Sequence, residues 1–269
     1  MTNKVFAPEY ERNDSGWVRF PRDQAIRKEY FIEEVNQHPA KANVYLVKSI
    51  IEFVSEPGQT VCDVMAGTGT ILMGLTIGRK VVCIEISSKF AGFISSNVEK
   101  FKRTVPNASD MVTVINAPCQ TVLPIPNLAD HIIFSPQYAG ILNVSDTKKK
   151  EGWMYEASKY DWAEYTKSPL NLGNMSEFLW SQEMAVVYKK CHDSVPVGGT
   201  MTIITKDHMR QGNRVLLSQM AASKCIEFGF ILQSWEKWAA PGLMFTSARK
   251  ARGEEVVEDE DIITFRRVK

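Results

Sequence analysis

Asp63, Gly67, Gly69 and Glu85 are the residues whose types and spacing speak most directly of chemistry in this 269-residue chain. Residues 61–64 are a short apolar run that reads as a buried strand. A turn with two glycines follows, and residues 71–77 then read as a helix. A strand passing through a glycine turn into a helix leaves bare backbone at the carboxyl edge of a sheet, where a ligand can come close. The unpaired N–H groups at the helix start face the same spot. A second strand, residues 81–84, ends in Glu85. A carboxylate roughly 20 residues past such glycines can accept hydrogen bonds from a pair of ribose hydroxyls.

The elements around this stretch alternate between strand and helix. Residues 44–54 carry helical periodicity, and Pro57-Gly58 ends that helix and turns the chain into the glycine strand. Residues 87–103 read as a helix that lays Phe90, Phe93, Ile94 and Phe101 on a sheet. A third strand, 112–115, ends at Asn116 and Ala117. A fourth, 131–134, runs into Ser135-Pro136-Gln137-Tyr138. A helix over 175–191, a Pro-Val-Gly-Gly turn, a strand over 200–205, a helix over 215–226, a strand from 228 and a strand over 261–266 complete the pattern. Residues 1–36 are polar and mixed in charge. Trp17, Phe20, Tyr30 and Phe31 predict that this arm packs on the body.

The spacing Asp63-x-x-x-Gly67-x-Gly69, followed by Glu85, resembles the S-adenosylmethionine site of class I methyltransferases. The order of a His38-Pro39-x-Lys41 element, an apolar helix, a Pro-Gly turn and the glycine strand is similar to that of DNA amino-methyltransferases. Ser135-Pro136-Gln137-Tyr138 resembles the Ser/Asp/Asn-Pro-Pro-Tyr motif of enzymes that methylate exocyclic amines of bases. The resemblance runs from about His38 to the end of the chain. It implies a three-layer, Rossmann-like α/β sandwich whose seven-stranded, mostly parallel sheet has an antiparallel last strand. It also implies S-adenosylmethionine as cofactor, held by His38, Pro39, Lys41, Asp63, Ala66, Gly67, Thr68, Gly69, Thr70, Glu85, Ile86, Asn116, Ala117 and Ser135. Asn116 stands where the pattern often has an aspartate near the adenine.

The acceptor motif makes chemical sense for this reaction. An aryl amine is a poor nucleophile because its lone pair is delocalised into the ring. The Ser135 side chain and the Pro136 carbonyl can hold both amine hydrogens and localise that lone pair, proline stiffens the turn, and Tyr138 can stack on the base. Ser135, Pro136, Gln137 and Tyr138 are therefore the expected catalytic residues, and serine in first place is typical of cytosine-modifying members. Gln137 departs from the usual proline, so the turn is looser or Gln137 itself meets the base. The resemblance thus implies methylation of an amino group in DNA, with cytosine N4 ahead of adenine N6 or an amine in RNA. A catalytically silent nucleic-acid-binding homologue is the reading from another class. Ring-carbon methylation would need a cysteine after a proline, and the Pro118-Cys119 pair lies ahead of the acceptor strand.

Target recognition is expected from three stretches. Residues 139–175 form an insertion with Lys148, Lys149 and Lys150 followed by interleaved aromatics, which suits stacking and phosphate contact, or alternatively a lid or dimer contact. Lys206 lies at the open edge of the fifth strand. Residues 239–252 carry Arg249, Lys250 and Arg252, and the arm 1–36 is the third stretch, the rest of the chain, 37–269, being the methyltransferase domain. The formal net charge is only +1, with 32 basic and 31 acidic side chains, so any nucleic acid must meet a local patch. The five scattered cysteines show no metal spacing, and an odd count without a signal peptide predicts a reducing cytoplasm. No apolar run approaches the roughly 18 residues a membrane span needs. Monomer and homodimer both remain open.

Overall fold

The computed structural model describes residues 4–38, 41–137, 168–210, 213–240 and 250–269. Seven strands form one sheet: β1 (Thr60–Asp63), β2 (Lys80–Glu85), β3 (Val112–Asn116), β4 (His131–Phe134), β5 (Thr200–Thr205), β8 (Phe230–Ala239) and β9 (Asp259–Arg267). Their order across the sheet is β3-β2-β1-β4-β5-β9-β8. The contacts from β3 through β5 are all parallel, and β9 runs antiparallel to both β5 and β8. This is the expected seven-stranded sheet with its antiparallel last strand. The central strands β4 and β5 are buried along their whole length, and apart from His131 they consist of apolar residues and threonines.

The sheet separates two apolar layers. One collects α2 (Val44–Val54), Ile133, Ile204, Ile262 and the arm residues Phe6, Val18, Phe31 and Val35. The other holds the short α4 (Cys119–Val122), α5 (Glu177–Ser194) and α6 (Leu217–Glu227) against Ile132, Phe134, Ile203, Ile263 and Phe265. The arm packs as its aromatics predict. Phe20 lies edge-on to Trp238 with ring centroids 6.0 Å apart, and Val18 bridges to Trp238 in β8. Within the arm, α1 (Gln24–Tyr30) is a helix that the mixed charge conceals. The fully buried Asn97, on α3 (Ser88–Phe101), ties arm to glycine loop: its side chain accepts the Ile32 N–H at 2.8 Å and donates to the Thr68 carbonyl at 2.9 Å.

Two elements differ from expectation. The run after the glycines is a 3-10 helix, Thr70–Ile77, not an α-helix, bounded at both ends by left-handed glycines, Gly69 at φ +82° and Gly78 at φ +76°. It lies tight against the sheet, so that a Cβ on Gly74 would come within 3.3 Å of the Val61 side chain. After β5 the chain folds into a small hairpin, β6 (His208–Arg210) with β7 (Asn213–Val215), before α6 begins. Arg214 anchors that hairpin by pairing with Asp207 at 2.9 Å. Among the described residues no helix is long and apolar enough to cross a membrane.

Candidate active site

The carboxyl ends of β1, β2, β4 and β5 open into one cavity of about 460 Å³. Of the residues expected to hold the cofactor, His38, Lys41, Asp63, Ala66, Gly67, Thr68, Thr70, Glu85, Ile86 and Ser135 line it, and so do Pro136 and Gln137 of the acceptor turn. Glu85 is almost fully buried, and its two oxygens accept backbone N–H groups from Gly67 at 2.7 Å and Ser87 at 2.8 Å. The carboxyl thereby locks the glycine loop to the end of β2. Asp63 accepts the Met65 N–H at 2.9 Å and turns the chain out of β1. Gly67 sits at φ +54°, and a Cβ there would come 3.0 Å from Nε2 of His38, whose ring packs on Phe90 at 4.8 Å between centroids. Only glycine allows that approach without strain.

Burial sets the protonation of the walls. It pushes the Glu85 carboxyl up to about 8 and Asp63 up to about 7. Burial, with the nearby Arg27 charge, lowers the Lys41 ammonium to about 8. The Lys41 ammonium donates to the His38 carbonyl at 2.7 Å. Arg27 itself is buried, donates to the Ala42 carbonyl at 2.7 Å and reaches Thr70 Oγ1 at 3.5 Å.

At the acceptor end, Pro136 is buried and Ser135 is exposed to the cavity. The Gln137 carbonyl accepts the Trp180 indole N–H at 2.6 Å, so α5 holds the turn from behind. Glu260 of β9 enters the same cavity and accepts the Trp238 indole N–H at 3.0 Å.

A family model described as DNA methylase matches residues 4–95, the stretch from the arm through the glycine loop and Glu85 to the first half of α3. Over these residues the chain is similar to the DNA methylase family. Among solved structures, TrmN from Thermus thermophilus matches with a TM-score of 0.51 at 13% identity, over 86% of this chain and 50% of that one. The chain therefore spans half the length of TrmN. The glycopeptide N-methyltransferase MtfA, solved with sinefungin, matches at 0.51 and 10% identity over 86% and 89% of the two chains. The cyclase SpnF matches at 0.54 and 13% identity over 89% and 86%. At such identities the likeness establishes the fold alone. No curated protein matches the sequence.

Sinefungin, bound in the MtfA structure, is an analogue of S-adenosylmethionine, the cofactor that the sequence resemblance implies. The cavity fits it: a buried carboxyl closes the end of β2, glycine backbone forms the adjoining wall, and Lys41, held on the His38 carbonyl, also lines it. Among the described residues, no group of three or more His, Cys, Asp or Glu side chains could hold a metal ion.

The remaining expected residues sit elsewhere. Gly69 supports the loop from outside the cavity wall, against Ile94 and Leu72. The Asn116 amide donates to the carbonyls of Glu85 at 2.8 Å and Ile86 at 3.3 Å, and the wall beyond β3 is made by Pro118, Cys119 and Gln120 in place of Asn116 and Ala117. Cys119 thus reaches the cavity, although it lies ahead of β4 in the chain. Its thiol is pushed up to about 12 by burial, which leaves it protonated. Lys206 is not in the cavity wall. Lys250 pairs with Glu258 at 2.5 Å and Arg252 with Glu254 at 2.7 Å. Pro39, Tyr138, Lys148, Lys149, Lys150 and Arg249 lie outside the described residues. Sequence reasoning missed Arg27, Trp180 and Glu260. None belongs to a local motif, and only Arg27 was visible, as one of several charges in the arm.

Proposed function

We propose that the protein transfers a methyl group from S-adenosylmethionine to the exocyclic amino group of a base in DNA, cytosine N4 above all. One observation carries this reading: Glu85 with the glycine loop and the Ser135-Pro136-Gln137 turn share a single cavity. Bound S-adenosylmethionine supplies an electrophilic methyl on a sulfonium centre. In this reading the Glu85 carboxyl group accepts from the ribose hydroxyls, the Gly67 backbone lets the ligand lie close, and Lys41 with the His38 loop covers the methionine end. Ser135 and the Pro136 carbonyl hold the two amine hydrogens and aim the nitrogen lone pair at the methyl. Such a transfer depends mostly on positioning. The base has to leave the duplex stack to enter the cavity, and Tyr138 would stack on it there.

Lys148, Lys149, Lys150, Lys206, Arg249, Lys250 and Arg252 are the proposed nucleic-acid contacts, and residues 139–175 the proposed recognition segment. The five cysteines, all free and buried, suit a reducing cytoplasm. A monomeric or homodimeric state completes the proposal. Mass spectrometry of nucleosides from DNA and RNA co-expressed with the protein tests it. N4-methylcytosine in DNA is expected. N6-methyladenine would move the target base, a methylated RNA amine would move the substrate, and a methylated ring carbon or no transfer at all would overturn the reading.

A further inference from the structure

Glu260 brings a carboxyl into the cavity from a strand that carries no methylase motif. The register shows how. Phe134 pairs with Ile203, so the chain leaves β4 at Ser135 beside Ile204, and Ile204 pairs with Ile262 of β9. Ile204 and Ile262 pack in one apolar layer, and alternate residues of a strand share a face. Because β9 is antiparallel, Glu260 lies two residues beyond Ile262 toward the same open edge. Ser135 and Glu260 thus stand on one face of the sheet, two strands apart. Two strand spacings across and two residues of rise along the strand put the two backbones about 12 Å apart. Both residues line the same cavity.

The carboxyl is oriented. Its Oε2 accepts the indole N–H of Trp238, the residue paired with it on β8. Among the described residues no hydrogen bond occupies Oε1. Burial raises the pKa of this carboxyl, against the pull of Lys206. In its protonated form the side chain can donate one O–H from Oε1 while Oε2 accepts from Trp238.

Resting on the amine-methylation reading, we propose that Glu260 is a positioning residue for the acceptor base, its carboxyl O–H donating to the ring nitrogen beside the amine-bearing carbon. With Ser135 and the Pro136 carbonyl on the amine hydrogens, this third contact fixes the ring in its plane. It also selects chemistry. Cytosine N3 and adenine N1 accept a hydrogen bond, whereas thymine and uracil carry an N–H at the matching position.

The test couples the side chain to the ring atom. Once the methylated site is known, duplexes carrying the normal base or its deaza analogue, with C–H in place of that ring nitrogen, are compared as substrates. The wild type should lose about 10-fold in kcat/KM on the analogue, as one hydrogen bond disappears. Glu260→Ala should be slow on both duplexes and no longer distinguish them. Glu260→Gln, whose amide can still donate to the ring and accept from Trp238, should keep the discrimination. S-adenosylmethionine affinity, measured by calorimetry, should be alike in all three. If Glu260→Ala discriminates as strongly as the wild type, or the wild type ignores the missing nitrogen, the assignment of Glu260 falls while amine methylation stands. If the wild type methylates no base amine, both fall together.

Discussion

The Gln137 carbonyl oxygen accepts the Trp180 indole N–H at 2.6 Å, across the gap between the end of β4 and helix α5. In the motif that this turn resembles, a proline ring stiffens the position of Gln137. Here a side chain from 43 residues later in the chain restrains the backbone at the same place. Trp180 is itself packed with Met184 and Val187 in the second apolar layer, so the restraint is anchored in the core.

Trp180→Phe keeps the packing and removes the donor. Labelled methyl transfer to DNA should slow about 10-fold, the cost of one buried carbonyl left unpaired. Calorimetry should find S-adenosylmethionine binding intact. An unchanged rate would mean that the turn holds without its tether.

Gly67→Ala meets two obstacles, a left-handed φ of +54° and the His38 ring 3.0 Å from the new Cβ. The first alone costs about 1–2 kcal/mol. S-adenosylmethionine should bind at least roughly 10-fold more weakly, for each 1.4 kcal/mol is a factor of 10 in affinity. Wild-type affinity in this variant would move the cofactor site elsewhere.

The buried carboxyls make stability depend on pH. Glu85 rises from 4.5 to about 8 and Asp63 from 3.8 to about 7 on folding, so the folded chain holds these protons more tightly than the unfolded one. Their stabilising contribution is complete below the unfolded values and is lost as pH rises through about 7 to 8. His131 acts the other way: burial lowers it from 6.5 to about 4, so its contribution is lost as pH falls through that range. Between pH 6.5 and 8 the carboxyls should therefore dominate this comparison. The unliganded protein should melt at progressively lower temperature over that window, and Glu85→Gln should show a shallower fall. Parallel curves would place the titration on other groups.

Ser135→Ala removes one of two acceptors for the amine hydrogens. The methyl-transfer rate should drop by roughly 10²-fold while cofactor affinity holds, as expected for a contact that matters mainly in the transition state. A matching loss of cofactor affinity would assign Ser135 to binding.

DNA affinity should fall steeply with added salt, because phosphate contacts release counterions. Replacing Lys148, Lys149 and Lys150 together with alanine should flatten that slope. An unaltered slope would give the insertion some other task, such as a dimer contact.

Much of this protein was legible in its sequence, because the informative features are local. A strand, a glycine turn and an acidic residue at the next strand's end are close in the chain, and parallel strands buried on both faces announce themselves as apolar runs. The sheet and the meeting of Glu85 with the glycine loop follow from that pattern. Tertiary structure alone decided what comes from afar. Residues 70–77 wind as a 3-10 helix packed on Val61, although their apolar run reads equally well as α. Cys119 enters the cavity because the turn after β3 folds back, which its place in the sequence does not disclose. The Trp180 tether joins residues 43 apart, and the approach of Glu260 to Ser135 depends on the register of β9 against β5. Such pairings are set by the packing of whole layers, and no short window of sequence contains both partners.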